Sequence, residues 1–82
     1  MKMLNIGFHS YIPENKIVAI VSADSSPIRR NINEAKEKGM LINACYGRPN
    51  LSVIVTVSNY LVLSSIDKKT LRKRVEENEY SR

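Results

Sequence analysis

The chain has a single cysteine and a single histidine among its 82 residues. Cys45 and His9 lie 36 positions apart (45 minus 9), so no ligand pair and no nucleophile–base pair has usable spacing. One cysteine makes no internal disulfide. His9 follows a strand-like run and reads as a surface or hydrogen-bonded turn histidine, and Cys45 sits inside an apolar run, where it reads as a small buried hydrophobe. The carboxylates offer no catalytic pair either, since Glu34 and Glu37 lie beside Lys36 and Lys38 on a solvated helix face. There is no glycine-rich phosphate loop. The expectation is a protein that is not an enzyme, with no cofactor, no metal and no small-molecule ligand.

Glycine and proline, three of each, are too scarce for a disordered tail, and 43% of residues are hydrophobic, enough for a core. No long hydrophobic run is present. The stretch from Leu51 to Leu63 is broken by Ser52, Thr56, Ser58, Asn59 and Tyr60, short of the roughly 20 residues that a spanning helix needs. The N-terminus opens on strand-like alternation rather than a basic segment followed by an apolar run, so the chain reads as cytoplasmic, without a membrane partner. Its length suits one domain and not two. Such a domain buries only about 60% of its unfolded surface, and its core rarely supplies more than ~3 to 5 kcal/mol, which points to a homo-oligomer as the further source of stability.

Several elements are legible. Leu4, Ile6 and Phe8 share one face of a strand that ends in polar residues and Pro13. Lys16 to Ser22 is rich in β-branched residues, apolar on both faces, and reads as a central strand covered from two sides. Ser25-Ser26-Pro27 is a helix start and Gly39 a helix end, with Ile28, Ile32 and Ala35 as a narrow apolar stripe between them. Three strand-like runs follow, Met40 to Cys45, Leu51 to Val57 and Tyr60 to Ser65, separated by turns at 46–50 and at Ser58-Asn59. In the middle run Leu51, Val53, Val55 and Val57 form the core face. Asp67 caps a last helix, from about Lys68 to Glu79, docked by Leu71 and Val75. The expected architecture is a single α+β domain of order β-β-α-β-β-β-α, with a C-terminal three-stranded antiparallel meander. Residues 1–66 form its body, and 67–82 a basic helix or tail of the same domain.

Thirteen Lys and Arg against eight Asp and Glu give a net charge of +5, which suits an anionic partner. Arg29 and Arg30 occupy the first helical turn, where positive charge opposes the helix dipole. Arg48 stands in the turn Tyr46-Gly47-Arg48-Pro49-Asn50, from which a guanidinium can project onto phosphate or into a groove, and Tyr46 beside it has a ring that could stack on a base. Lys68, Lys69, Arg72, Lys73 and Arg74 precede Glu76, Glu77 and Glu79, an order that opposes the dipole at both ends of the helix. Each group is also compatible with plain solvation. The five aromatic residues include no evident stacking pair on one strand, which argues against RNA.

Asn5-Ile6-Gly7-Phe8, Ile20-Val21-Ser22, Ser26-Pro27-Ile28-Arg29-Arg30, Glu34-Ala35, Met40-Leu41-Ile42 and Tyr46-Gly47-Arg48 together resemble the RemA-type regulators of extracellular matrix genes in Gram-positive bacteria. The resemblance runs to about Ile66 and is specific as an ordered set. It implies a small DNA-binding transcription regulator, an activator of biofilm matrix genes that assembles into rings and holds double-stranded DNA with basic residues. Lys16 matches a position where the family commonly has arginine, and Pro27 to Arg30 match the family's helix start. Where the family reads Tyr-Gly-Arg-Arg-Thr-Arg, this chain has Tyr46-Gly47-Arg48-Pro49-Asn50-Leu51 and keeps one arginine of three. That loop, Val53 to Val57 and Thr70 to Arg74 are more similar to the shorter RemB-like sister branch. The expected DNA contacts are Lys16, Arg29, Arg30 and Arg48, supported by Lys68, Lys69, Arg72, Lys73 and Arg74. The competing reading is a structural or protein-interaction ring that has lost most DNA affinity.

Overall fold

The computed structural model describes residues 2–80, with backbone alone at 78–80, so the Glu79 carboxylate lies outside the described residues. The opening alternation forms β1 (Met3–Gly7), with Leu4 and Ile6 buried. Its continuation, expected to be a polar strand end, is instead a second strand, β2 (Ser10–Pro13). The two pair antiparallel, Leu4 opposite Ile12 and Gly7 opposite Ser10, around a two-residue turn at Phe8 and His9. Both turn residues have positive φ, 52° and 61°, as a tight turn matched to strand twist requires. The observed order therefore has one more strand than expected at its start.

A single 3-10 turn at Glu14–Lys16 leads into β3 (Ile17–Ser22). Next come α1 (Ser26–Glu37), β4 (Leu41–Asn43), β5 (Ser52–Thr56), β6 (Leu61–Ser64) and α2 (Lys68–Tyr80). The Ser25 hydroxyl accepts from the Ile28 N–H, and Gly39 at φ +70° closes α1 as the Met40 N–H returns to the Ala35 carbonyl.

The second sheet has the order β3-β5-β6-β4, and this corrects two expectations. β3 is an edge strand rather than a central one; its Val18 is passed over in the pairing with β5 and stands 62% exposed. The last three strands do not form an antiparallel meander. β5 and β6 are an antiparallel hairpin, but β4 pairs in parallel with β6, Leu41 opposite Leu61, and has no contact edge with β5. Burial agrees with this order. Leu61, Val62, Leu63 and Ser64 of β6 are buried because layers cover both faces of this inner strand, whereas the edge strand β4 carries an exposed Ile42 and Asn43.

The sheet is covered twice. On one face α1 lays Ile28, Ile32 and Ala35 against Cys45, Val53, Leu61 and Leu63. On the other, the β1–β2 hairpin and α2 bring Leu4, Ile6, Ile12 and Leu71 onto Ile54 and Val62, with Val75 packed beside them. β5 is thus buried on both faces along Ser52–Ile54, while Leu51 and Val57, expected in the core, are exposed. Ser64 ties the layers together: its hydroxyl donates to the Ile6 carbonyl at 2.9 Å and accepts from the Ile66 N–H at 3.1 Å.

Candidate nucleic-acid interface

Two left-handed turns meet at one end of the molecule. In the first, Phe8 and His9 join β1 to β2. In the second, Tyr46 (φ 52°) and Gly47 (φ 83°) are bracketed by an Arg48 N–H to Cys45 carbonyl hydrogen bond of 3.1 Å. The first central position of each turn carries an aromatic ring. The Phe8 and Tyr46 rings approach to 5.3 Å between centroids at 49°, and the Arg48 guanidinium carbon lies 5.6 Å from the centre of the Phe8 ring. Yet both rings remain open to solvent, Phe8 by 44% and Tyr46 by 66%.

This arrangement is held against local preference. Left-handed backbone costs a residue with a side chain roughly 1–2 kcal/mol, while one exposed aromatic pair returns about 1 kcal/mol and a solvated cation–π contact about 0.5–1 kcal/mol. Asparagine or glycine would carry the same turns with less strain. The rings are therefore not placed there by the needs of the turns.

Among the described residues, the Arg48 guanidinium faces no carboxylate. Arg29, Lys68 and Lys69 are in a different setting, around a shallow depression between the starts of α1 and α2 that they share with Asp24 and Asp67. The Asp24 carboxyl is held below the ordinary aspartate range, first by the Ser22 hydroxyl and further by Lys68 and Arg29. Asp67 is held low chiefly by Thr70, whose hydroxyl donates to it at 2.6 Å, with added hydrogen bonds from the backbone at the start of α2. The expected cap is thus in place, and it brings negative charge into the same depression.

The tail cations do not act as one surface. Lys68, Lys69 and Arg72 rim a groove of about 720 Å³ floored by Ile17, Val18, Ile20 and Val75. Arg72 also stands 3.7 Å from Glu76. Arg74 donates to the Asn5 carbonyl at 2.9 Å and so ties α2 to β1. Cys45 is buried as a small core residue, and that burial pushes its thiol pKa up. No group of three or more His, Cys, Asp or Glu is placed to hold a metal among the described residues, and no helix there is long and apolar enough to cross a membrane.

A family model described as RemA-like, extracellular matrix regulatory protein A-like, matches residues 3–75. The chain belongs to the RemA-like family. The match runs past Ile66, where the resemblance in the sequence thins, and takes in the basic start of α2. Three relatives, each named "Putative regulatory protein", are similar over nearly the whole chain. The one from Caldicellulosiruptor saccharolyticus is 48% identical over 79 residues, 96% of this chain and 78% of the relative. Those from Acetivibrio thermocellus and Clostridium botulinum are 46% and 44% identical, each over 96% of this chain, and 85% and 89% of the relatives. The family is thus one of regulatory proteins.

In this RemA-like chain Lys16 is exposed at the end of the 3-10 turn, its carbonyl accepting from the Val57 N–H at 2.9 Å. Arg30 is exposed on α1, one position around the helix from Arg29, and Lys73 is exposed on α2. The residue that sequence reasoning missed is Phe8. It stands 38 positions before Tyr46 (46 minus 8), and only the meeting of two turns brings it under Arg48.

Proposed function

We propose that this protein is an oligomeric DNA-binding transcription regulator that grips mainly the phosphate backbone of double-stranded DNA. The observation that carries this reading is Arg48: an exposed guanidinium on a strained turn, braced by an aromatic ring and, among the described residues, without a carboxylate to neutralise it. Such a fork is ordered before the phosphate arrives, so less side-chain entropy is lost on binding. Lys16, Arg29 and Arg30 are the further contacts. Lys68, Lys69, Arg72 and Lys73 act as support, weakened by Asp24, Asp67 and Glu76, and Arg74 serves chiefly as a structural tie. The family's description supports a regulatory role tied to the extracellular matrix, and in this reading the protein acts on matrix, hence biofilm, genes from the cytoplasm.

Assembly is favoured by the two open edges of the main sheet. Val18 on β3 and Ile42 on β4 are 62% and 49% exposed, and joining one edge to the opposite edge of the next copy is a head-to-tail contact of the kind that closes rings. A ring repeats each weak phosphate contact, which raises avidity without new chemistry.

The test is titration of duplex DNA at several salt concentrations. Each phosphate neutralised contributes about −0.9 to the log–log salt slope, so binding should weaken steeply as salt rises. One observation favours the competing scaffold, namely Pro49 and Leu51 in a loop where the family carries arginines. Absence of binding even at low salt would select it.

A further inference from the structure

Phosphate gripping gives Arg48 a task but leaves the two rings unexplained. Phe8 and Tyr46 are drawn together by separate turns, are exposed, and occupy left-handed positions that asparagine or glycine would fill at lower cost. Centroids 5.3 Å apart at 49° leave no slot for a flat ring between them, so the pair is a buttressed platform with Tyr46 outermost. Beside it stands a guanidinium facing no carboxylate among the described residues. A ring face next to a bare cation matches a nucleobase and its adjoining phosphate, since every base offers a flat π-face and carries a negative charge within one linkage.

We infer that Phe8, Tyr46 and Arg48 form a base-stacking site for an unstacked nucleobase, so that the protein prefers DNA with a locally opened or extrahelical base over a perfect duplex. In a closed duplex both faces of each base are already covered by neighbours, so Tyr46 can stack only where a base has left the stack. Stacking reads the π-face that every base carries, so the preference is for exposure of the base rather than its identity. The inference rests on the DNA-binding reading above. An exposed aromatic–arginine patch is also a common centre of protein interfaces, but the net charge of +5 favours the nucleic acid.

The experiment compares labelled DNAs by fluorescence anisotropy: a perfect duplex, the same duplex with one extrahelical 2-aminopurine, and the single strand. The expected result is roughly tenfold tighter binding of the bulged duplex, within the range measured for one base–aromatic stack, with 2-aminopurine fluorescence changing on binding. Tyr46→Asn should abolish the preference and Tyr46→Phe should keep it, because the ring and not the hydroxyl does the stacking. Asparagine suits a left-handed position, and thermal melting checks that the fold persists. Equal affinity of the parent for perfect and bulged duplexes would overturn the inference while leaving the phosphate reading intact. Binding to none of the DNAs would remove both. A Tyr46→Asn variant that loses oligomeric mass but keeps the preference would make the patch a protein interface and would also overturn it.

Discussion

His9 sits at φ +61°, beside Phe8 at +52°, and has no ring partner among the described residues. The two residues of this hairpin turn both need left-handed backbone, and neither has the short polar side chain or the missing Cβ that makes it cheap. His9→Gly should therefore stabilise the protein by about 1 kcal/mol, seen as a rise in melting temperature of about 5 °C for a domain of this size. No rise would mean that the histidine makes a compensating contact. The same residues show why part of the site was illegible. Asn-Gly at 8–9 would announce a hairpin, but Phe-His gives no such sign, so in the sequence β2 is indistinguishable from a polar end of β1. Arg48 and Tyr46 were recognised because glycine and proline beside them marked a turn. Phe8 was not, because nothing in a linear pattern joins two turns distant in sequence.

The β1–β2 hairpin is held to the main sheet by Leu4, Ile6 and Ile12 in the core and by a buried polar link through Ser64. Ser64 is fully buried and holds the Ile6 carbonyl and the Ile66 N–H at once, so Ser64→Ala leaves two backbone groups without that partner. The expected cost is about 2 kcal/mol, measured by denaturant midpoint, a large share of the stability of a small domain. A change under about 0.5 kcal/mol would show that water replaces the hydroxyl without penalty. The elements with strong local signals were correctly legible: α1 through Ser25, Pro27 and Gly39, and α2 through Asp67, Leu71 and Val75. Strand order was not. Periodicity says which faces of a strand are apolar, but it does not tell which strand is flanked on both sides. The apolar residues of β3 resemble those of a central strand because composition alone does not separate an apolar edge strand from a buried one.

At the scale of the molecule, one compact sheet ends in two apolar edges, and the cations are spread over the ends of several elements rather than gathered in one cleft. Light scattering at micromolar concentration should give a mass several times that of one chain, and Val18→Lys should shift it toward the monomer, since a charge on an edge strand opposes strand-to-strand pairing. A parent that is already monomeric would remove the ring and the avidity that goes with it. The central claim is that an assembly of these chains holds DNA by phosphate, with Arg48 as the loop's remaining fork. The measurement that bears on it most directly is the salt dependence of duplex binding by the parent and by Arg48→Ala, with melting and mass recorded for both. The account expects a steep negative slope for the parent, and for Arg48→Ala weaker binding with a slope shallower by roughly one phosphate contact per subunit engaged, at unchanged fold and mass. Binding by the parent with a flat salt response, or an Arg48→Ala variant with the parent's affinity and slope, would contradict it.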